Sequence, residues 1–255
     1  MTEVTSGIAP DPVMARHQAA VAEIKRAYAE IPPGSPVRLA KSTSNLFRFR
    51  ADPAGPGLDV GAFARVLSVS PRTRTAVVGG MTTYQDLTAA TLRHGLMPLV
   101  VPQLKTITLG GAVSGLGIES TSLRNGMPHE SVLAMDILTG DGRVVTATPA
   151  GEHAALYRGF PNSYGTLGYA LSLTIELEPV RPYVHVRHFR FTDAEECFAA
   201  VARVAAEGSY DGHQADFIDG TAFSAGEIYL TIGAFSAMSC SSWKLPSSRW
   251  CRCGG

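Results

Sequence analysis

The sequence has little charge and no excess of either sign. Its 255 residues carry 22 Lys and Arg against 22 Asp and Glu, a formal net charge of zero. A nucleic-acid binder needs a basic field, so this balance excludes that class of partner. Charged residues make up only 17% of the chain and apolar residues 45%, which argues against long disorder and provides for a sizeable core. No apolar run approaches the roughly 20 residues of a membrane span. Residues 1–10 lack a basic stretch followed by an apolar one, so no secretory signal is read. Cysteine is scarce and unevenly placed. Cys197 sits in a helical pattern, while Cys240, Cys251 and Cys253 crowd the C-terminal end. Without secretion a disulfide framework is not expected. Cys-x-Cys with no nearby His lacks a four-ligand spacing, so no metal is expected either. These absences predict a cytoplasmic globular protein of one large or two small domains, with peripheral membrane association left open.

What is present begins with a helix. Asp11-Pro12 reads as an N-cap followed by proline at the first helical position, and Pro32-Pro33-Gly34 ends the helix. Strands are expected at Val66–Val69 and Thr75–Gly79. Thr82-x-x-Gln85 reads as a capping box opening a helix over Tyr84–His94. Leu104–Asn125 reads as a long loop rich in Gly, Ser and Thr. Two strands, Ser131–Leu138 and Arg143–Thr148, flank Thr139-Gly140-Asp141-Gly142, a hairpin turn. From Leu171 to Glu178 apolar and polar residues alternate strictly, which predicts a half-buried strand. After Pro179–Pro182 a second unit is expected. It has a strand over Tyr183–Phe191, a helix capped by Thr192, and strands near Ala215–Ile218 and Glu227–Gly233. Residues 234–255 hold three of the 4 cysteines and both tryptophans, and no regular period survives there, so an irregular tail is expected.

The segment richest in chemistry is Thr108–Thr121. Gly110, Gly111, Gly115 and Gly117 fall close together, and glycine lets backbone N–H groups approach a ligand closely. A run of such amides suits a pyrophosphate without any lysine or arginine. Neither common phosphate motif fits. Gly110-x4-Gly115 is followed by Leu116-Gly117 rather than Lys-Ser/Thr, and Gly115-x-Gly117 opens no long helix. A second glycine motif, Tyr164-Gly165-Thr166-Leu167-Gly168-Tyr169, stands at the entrance to the alternating strand.

Pro102–Gly126, His129-Glu130-Ser131-Val132, Thr139–Gly142 and Pro161–Gly168, taken in order, resemble the FAD-binding domain of the vanillyl-alcohol oxidase (PCMH-type) superfamily. Gly117-Ile118-Glu119-Ser120 and the Tyr164–Gly168 motif resemble its Δ24-sterol reductase (24-dehydrocholesterol reductase, seladin-like) branch. The resemblance covers about residues 15–190. It implies an α+β fold: a PCMH-type FAD-binding domain of two α+β subdomains over 11–180, followed by an incomplete α+β substrate domain over 183–233. FAD would be held by a first phosphate loop, Lys41-Ser42-Thr43-Ser44-Asn45, with Ser42, Thr43, Ser44 and Asn45 as its contacts. That loop departs from the superfamily in lacking glycine. Thr108, Gly110, Gly111, Gly115, Gly117, Ser120 and Thr121 would form a second loop, with Gly126, Val132, Thr166 and Gly168 also near the cofactor. Lys41–Arg50 contains neither His nor Cys, so noncovalent FAD is expected.

The same resemblance implies reduction of a C=C bond in a hydrophobic, sterol-like substrate, with hydride passed from NADPH through the flavin. Two rival readings remain. One is a flavin oxidase of an alcohol or aldonolactone, and the other is an FAD-binding fragment without turnover. Glu119, the acidic residue within the glycine loop, is a candidate to hydrogen-bond or polarise the flavin, or simply to cap the chain. His185 and His188 lie three apart on a strand and face opposite sides, so they form no joint metal site.

Overall fold

The computed structural model describes residues 11–41 and 57–238. The chain divides after Pro179 into two compact units.

The first unit opens with helix α1 (Pro12–Ala29). The Asp11 carboxylate accepts the Val13 N–H at 2.9 Å, and Pro12 has no N–H to satisfy. Short strands β1 (Arg38–Ala40) and β2 (Gly57–Asp59) pair in parallel, and a 3-10 turn follows at Gly61–Phe63. Strands β3 (Val66–Ser70) and β4 (Thr75–Gly79) form a hairpin. Helix α2 (Tyr84–Leu92) and strand β5 (Leu96–Pro98) follow, then helices α3 (Leu109–Gly115) and α4 (Ser122–Asn125). A second 3-10 turn, Pro128–Ser131, leads into β6 (Val132–Leu138), β7 (Val144–Ala147), α5 (Ala154–Gly159) and the long β8 (Tyr169–Pro179). The sheet runs β3-β4-β8-β6-β7, with β5 on the far end of β8, and every pairing in it is antiparallel. This is an α+β architecture of the kind the resemblance implied.

Strand β8 is the centre of that sheet, and it is drier than its alternating sequence predicts. Leu173, Ile175 and Leu177 pack into the main core with Val78, Leu87, Val113 and Ile137. Leu171 belongs to a second cluster with Ile24, Leu58 and Phe63, beneath α1. Between them Ser172 is buried and donates to Asp136 Oδ2 at 2.7 Å. Both faces are therefore covered at this end, and the expected wet face begins only at Glu176. The Thr139–Gly142 turn forms as expected, with Gly142 at φ +77°. The Tyr28 hydroxyl of α1 donates to the Gly140 carbonyl at 2.7 Å and so ties the turn down.

Two details differ from the sequence reading in this unit. The α2 cap is Thr83, whose hydroxyl oxygen accepts the Asp86 N–H, and not Thr82. Thr82 is buried, and its carbonyl is taken by the Leu109 N–H. The long loop expected before Asn125 contains α3, whose N-cap Thr108 accepts the Gly111 N–H at 3.2 Å. Burial of Leu109, Ala112 and Val113 outweighs the poor helix propensity of its glycines.

The second unit holds β9 (Tyr183–Phe191), α6 (Ala194–Glu207), β10 (Ser209–Tyr210), β11 (His213–Gln214), β12 (Phe217–Ser224) and β13 (Glu227–Ser236). Its antiparallel sheet runs β12-β13-β9. Helix α6 buries Cys197, Ala200 and Val204 against Leu230 and Ile232. Its cap is Asp193 and not Thr192, because the carboxylate takes both the Glu195 and Glu196 N–H groups. Regular pairing continues past residue 234, since Ala234, Phe235 and Ser236 face His185, Val184 and Tyr183 of β9. The remainder of the expected tail, 239–255, lies outside the described residues. Among the described residues no helix is long and apolar enough to cross a membrane.

Candidate functional site

The first unit contains a cavity of about 550 Å³, within the roughly 300–1,000 Å³ of small-molecule and cofactor sites. One wall is the end of β1, with Arg38, Leu39 and Lys41. Another is the Gly80-Met81 turn after β4. The rest comes from the 102–108 segment, α3, the Gly115–Glu119 turn, and Phe160 with the Tyr164–Ala170 stretch.

The glycines of this wall have different jobs. A Cβ on Gly80 would fall 2.0 Å from the Ala170 carbonyl oxygen, and one on Gly110 2.7 Å from the Gly80 oxygen. Both are required where α3 lies against the sheet. The N–H groups of Leu109, Gly110, Gly111 and Ala112 are all spent inside the protein, on Thr82, Gly80 and Thr108. The run of open amides expected from the glycine cluster is thus confined to its end. Among the described residues, no acceptor meets the N–H of Gly117 or Ile118.

Leu116, between Gly115 and Gly117, has φ 57° and ψ 165°, a region otherwise occupied almost only by glycine. Tyr164 is also at positive φ, 51°. Its N–H donates to the Ser114 carbonyl at 3.0 Å, which fixes the Tyr164–Gly168 motif onto the end of α3. Tyr169 donates its hydroxyl to the Val37 carbonyl at 3.1 Å, and burial raises its pKa. Glu119 is the carboxylate of the described wall, and its Oε2 accepts the Gln103 N–H at 3.2 Å. Buried Tyr84 is held protonated far above the usual tyrosine range, first by burial and then by the Glu119 charge.

The expected site residues therefore separate into three groups. Thr108, Gly110, Gly111, Gly115, Gly117, Glu119 and Gly168 meet on the cavity wall. Ser120, Thr121, Gly126, Val132 and Thr166 do not line it. Thr121 donates its hydroxyl to the Leu99 carbonyl, Val132 is buried with its carbonyl accepting the Tyr157 hydroxyl, and Thr166 is exposed and bonded to Ser163. Ser42, Thr43, Ser44 and Asn45 lie outside the described residues. The sequence reading did not single out Gly80 or Arg38, whereas Lys41 headed its expected phosphate loop and Tyr169 closed its second glycine motif, and all four line the cavity. Lys41 adjoins the Ser-Thr segment, while Arg38 lies four residues before Ser42 on β1. In the second unit His185 stacks edge-on with His213, while His188 bonds Thr231. Among the described residues no cluster of three or more His, Cys, Asp or Glu could hold a metal.

A unit built on an antiparallel sheet, with a glycine-walled cavity of this size, has the form of a nucleotide-cofactor site. Comparison with known proteins makes this specific. Residues 13–148 match the FAD binding domain family, and the chain belongs to that family. It is 27% identical over 183 residues to a Delta(24)-sterol reductase of Arabidopsis thaliana, covering 71% of this chain and 32% of the relative. It is 28% identical over 171 residues to the Delta(24)-sterol reductase of Homo sapiens, covering 67% and 32%. Cytokinin dehydrogenase 2 of Oryza sativa subsp. japonica is 29% identical over 176 residues, covering 67% and 31%. The chain thus matches about a third of the length of these curated relatives. The cavity suits the family's cofactor: it offers bare glycine backbone for close approach, an open amide at Gly117, and Arg38 and Lys41 on the same wall.

Proposed function

We propose that this chain binds FAD noncovalently in the cavity of its first unit. We propose further that it serves a flavin-dependent oxidoreductase that reduces a C=C bond of a hydrophobic, sterol-like substrate with electrons from NADPH. The observation that carries the reading is the family match over residues 13–148, on the unit that holds the cavity. The reductase relatives support the direction of reaction and the apolar substrate. The absence of His and Cys from Lys41–Arg50 supports a noncovalent cofactor.

Bound FAD supplies the two-electron redox chemistry that the side chains themselves lack. The residues of the chain do the holding. Thr108, Gly110, Gly111, Gly115, Gly117 and Gly168 give a wall on which a flat ligand can lie. Arg38 and Lys41 bring positive charge to the diphosphate, and Ser42, Thr43, Ser44 and Asn45 complete a phosphate loop. Ser120, Thr121, Gly126, Val132 and Thr166 hold neighbouring backbone rather than the cofactor, as Thr121 does on the Leu99 carbonyl. Leu104, Ile107 and Phe160 exclude water, which strengthens every polar contact in the cavity.

A visible spectrum of the purified protein tests the cofactor. Flavin bands released by heat or acid are expected. A colourless protein that takes up no added FAD overturns the proposal, and yellow colour retained in an acid pellet overturns the noncovalent part. The dehydrogenase relative supports a second reading, in which the flavin is reduced by its organic substrate. Anaerobic mixing separates the two: NADPH bleaches a reductase, and an alcohol or similar donor bleaches a dehydrogenase or oxidase.

A further inference from the structure

We infer that Glu119 is a positioning residue: through the main chain of Gln103 it holds together the two loops that flank the cavity. The inference rests on the FAD reading. One loop carries Pro102 and Leu104, the other Leu116 and Gly117, and all four line the cavity. Between them the chain leaves to build α3, so neither loop is fixed to the other by sequence proximity. The Glu119 backbone is locked first. Its N–H donates to Ser122 Oγ at 2.9 Å, and the Ser122 N–H donates back to the Glu119 carbonyl at 2.9 Å.

From that fixed base the side chain reaches across to take the Gln103 N–H on Oε2 at 3.2 Å. Its other oxygen lies 3.5 Å from where a Cβ on Gly117 would be, so the carboxylate borders the open Gly117 amide of the wall. The residue therefore sets the distance between the 102–104 loop and the open amide. What it supplies is an acceptor, which glutamine also supplies and alanine does not.

The test compares FAD titrations, followed by flavin fluorescence, for the wild type, Glu119→Ala and Glu119→Gln, with hydrogen exchange at the Gln103 amide as a readout that needs no flavin. Glu119→Ala is expected to raise the FAD dissociation constant about tenfold, to speed exchange at Gln103 and to alter the bound-flavin spectrum. Glu119→Gln is expected to restore the spectrum and to stay within about threefold of wild type. Should Glu119→Ala fail to fold, Ser122→Ala loosens the same closure and should speed Gln103 exchange while weakening FAD less. Wild-type affinity in Glu119→Ala overturns the inference. So does a Glu119→Gln protein as weak as the alanine variant, which would make the charge itself the contact. If the wild type takes up no FAD, the functional reading fails and the positioning role falls with it. Gln103 exchange would then still report whether the tie exists.

Discussion

The Gly110 N–H donates to the Gly80 carbonyl at 2.8 Å, so the first turn of α3 rests directly on the backbone that follows β4. Gly80 in turn donates its N–H to the Leu171 carbonyl of β8. Two glycines thus join the cavity wall to the central strand with no side chain between them. Gly80→Ala places a methyl 2.0 Å from the Ala170 oxygen, and Gly110→Ala places one 2.7 Å from the Gly80 oxygen. Both are expected to lower thermal stability steeply and to abolish FAD uptake. Gly140→Ala, whose Cβ would meet nothing within 4 Å, serves as the control and should melt like the wild type.

The core around β8 makes a quantitative prediction. Leu173 is fully buried in the main cluster, and Leu173→Ala is expected to cost about 2–5 kcal/mol in denaturant unfolding. Leu133, on the neighbouring β6, is 39% exposed, and Leu133→Ala should cost well under half as much.

Leu116 makes a prediction of reversed sign. Glycine normally destabilises a chain relative to alanine by about 0.5–1 kcal/mol. At φ 57° and ψ 165° alanine keeps the strain and glycine removes it. Leu116→Gly is therefore expected to melt above Leu116→Ala. The usual order would show that the turn carries no strain.

His17 gives unit one a pH dependence. It is buried on α1, its ring meets Phe63 edge-on at 5.5 Å, and its Nδ1 has no partner among the described residues. Burial lowers its pKa below 6.5, against a smaller opposing pull from Asp136. Above pH 6.5 the imidazole is neutral folded or unfolded, and its contribution is complete. As the pH falls below 6.5 the unfolded chain takes the proton first, and stability is lost until the folded imidazole also protonates. Melting temperatures of the wild type and His17→Gln, measured from about pH 8 to pH 5, should diverge in slope, with the variant flatter. His185 has a lowered pKa too, so the difference between the two proteins, not the wild-type slope alone, reports on His17.

Much of this molecule was legible in its residues, and the parts that were not have physical reasons. Asp11-Pro12, the Thr139–Gly142 turn and the Leu171–Leu177 alternation each encode local geometry, and each stands near where it was expected. The caps at Thr83 and Asp193 were missed by one residue because a neighbouring hydroxyl offers the same chemistry; at α2 the Thr82 carbonyl is taken by Leu109, and at α6 the Asp193 carboxylate takes two N–H groups. Helix α3 was read as loop because glycine suppresses helix propensity, whereas burial decides. Gly80 could not be picked out, since its importance depends on which backbone α3 lands upon. Arg38 reaches the cavity on β1, whose parallel pairing with β2 is long-range and leaves no local signature.

Strand β8 pairs with β4, β5 and β6 and packs against α3. It begins at Tyr169 and Ala170, which edge the cavity, and ends at Leu177 and Pro179, which pair with β5. A molecule gripping the cavity edge would therefore brace the whole length of this beam. Damage done far along it, by a substitution that never meets a ligand, would register as a loosened grip at the other end.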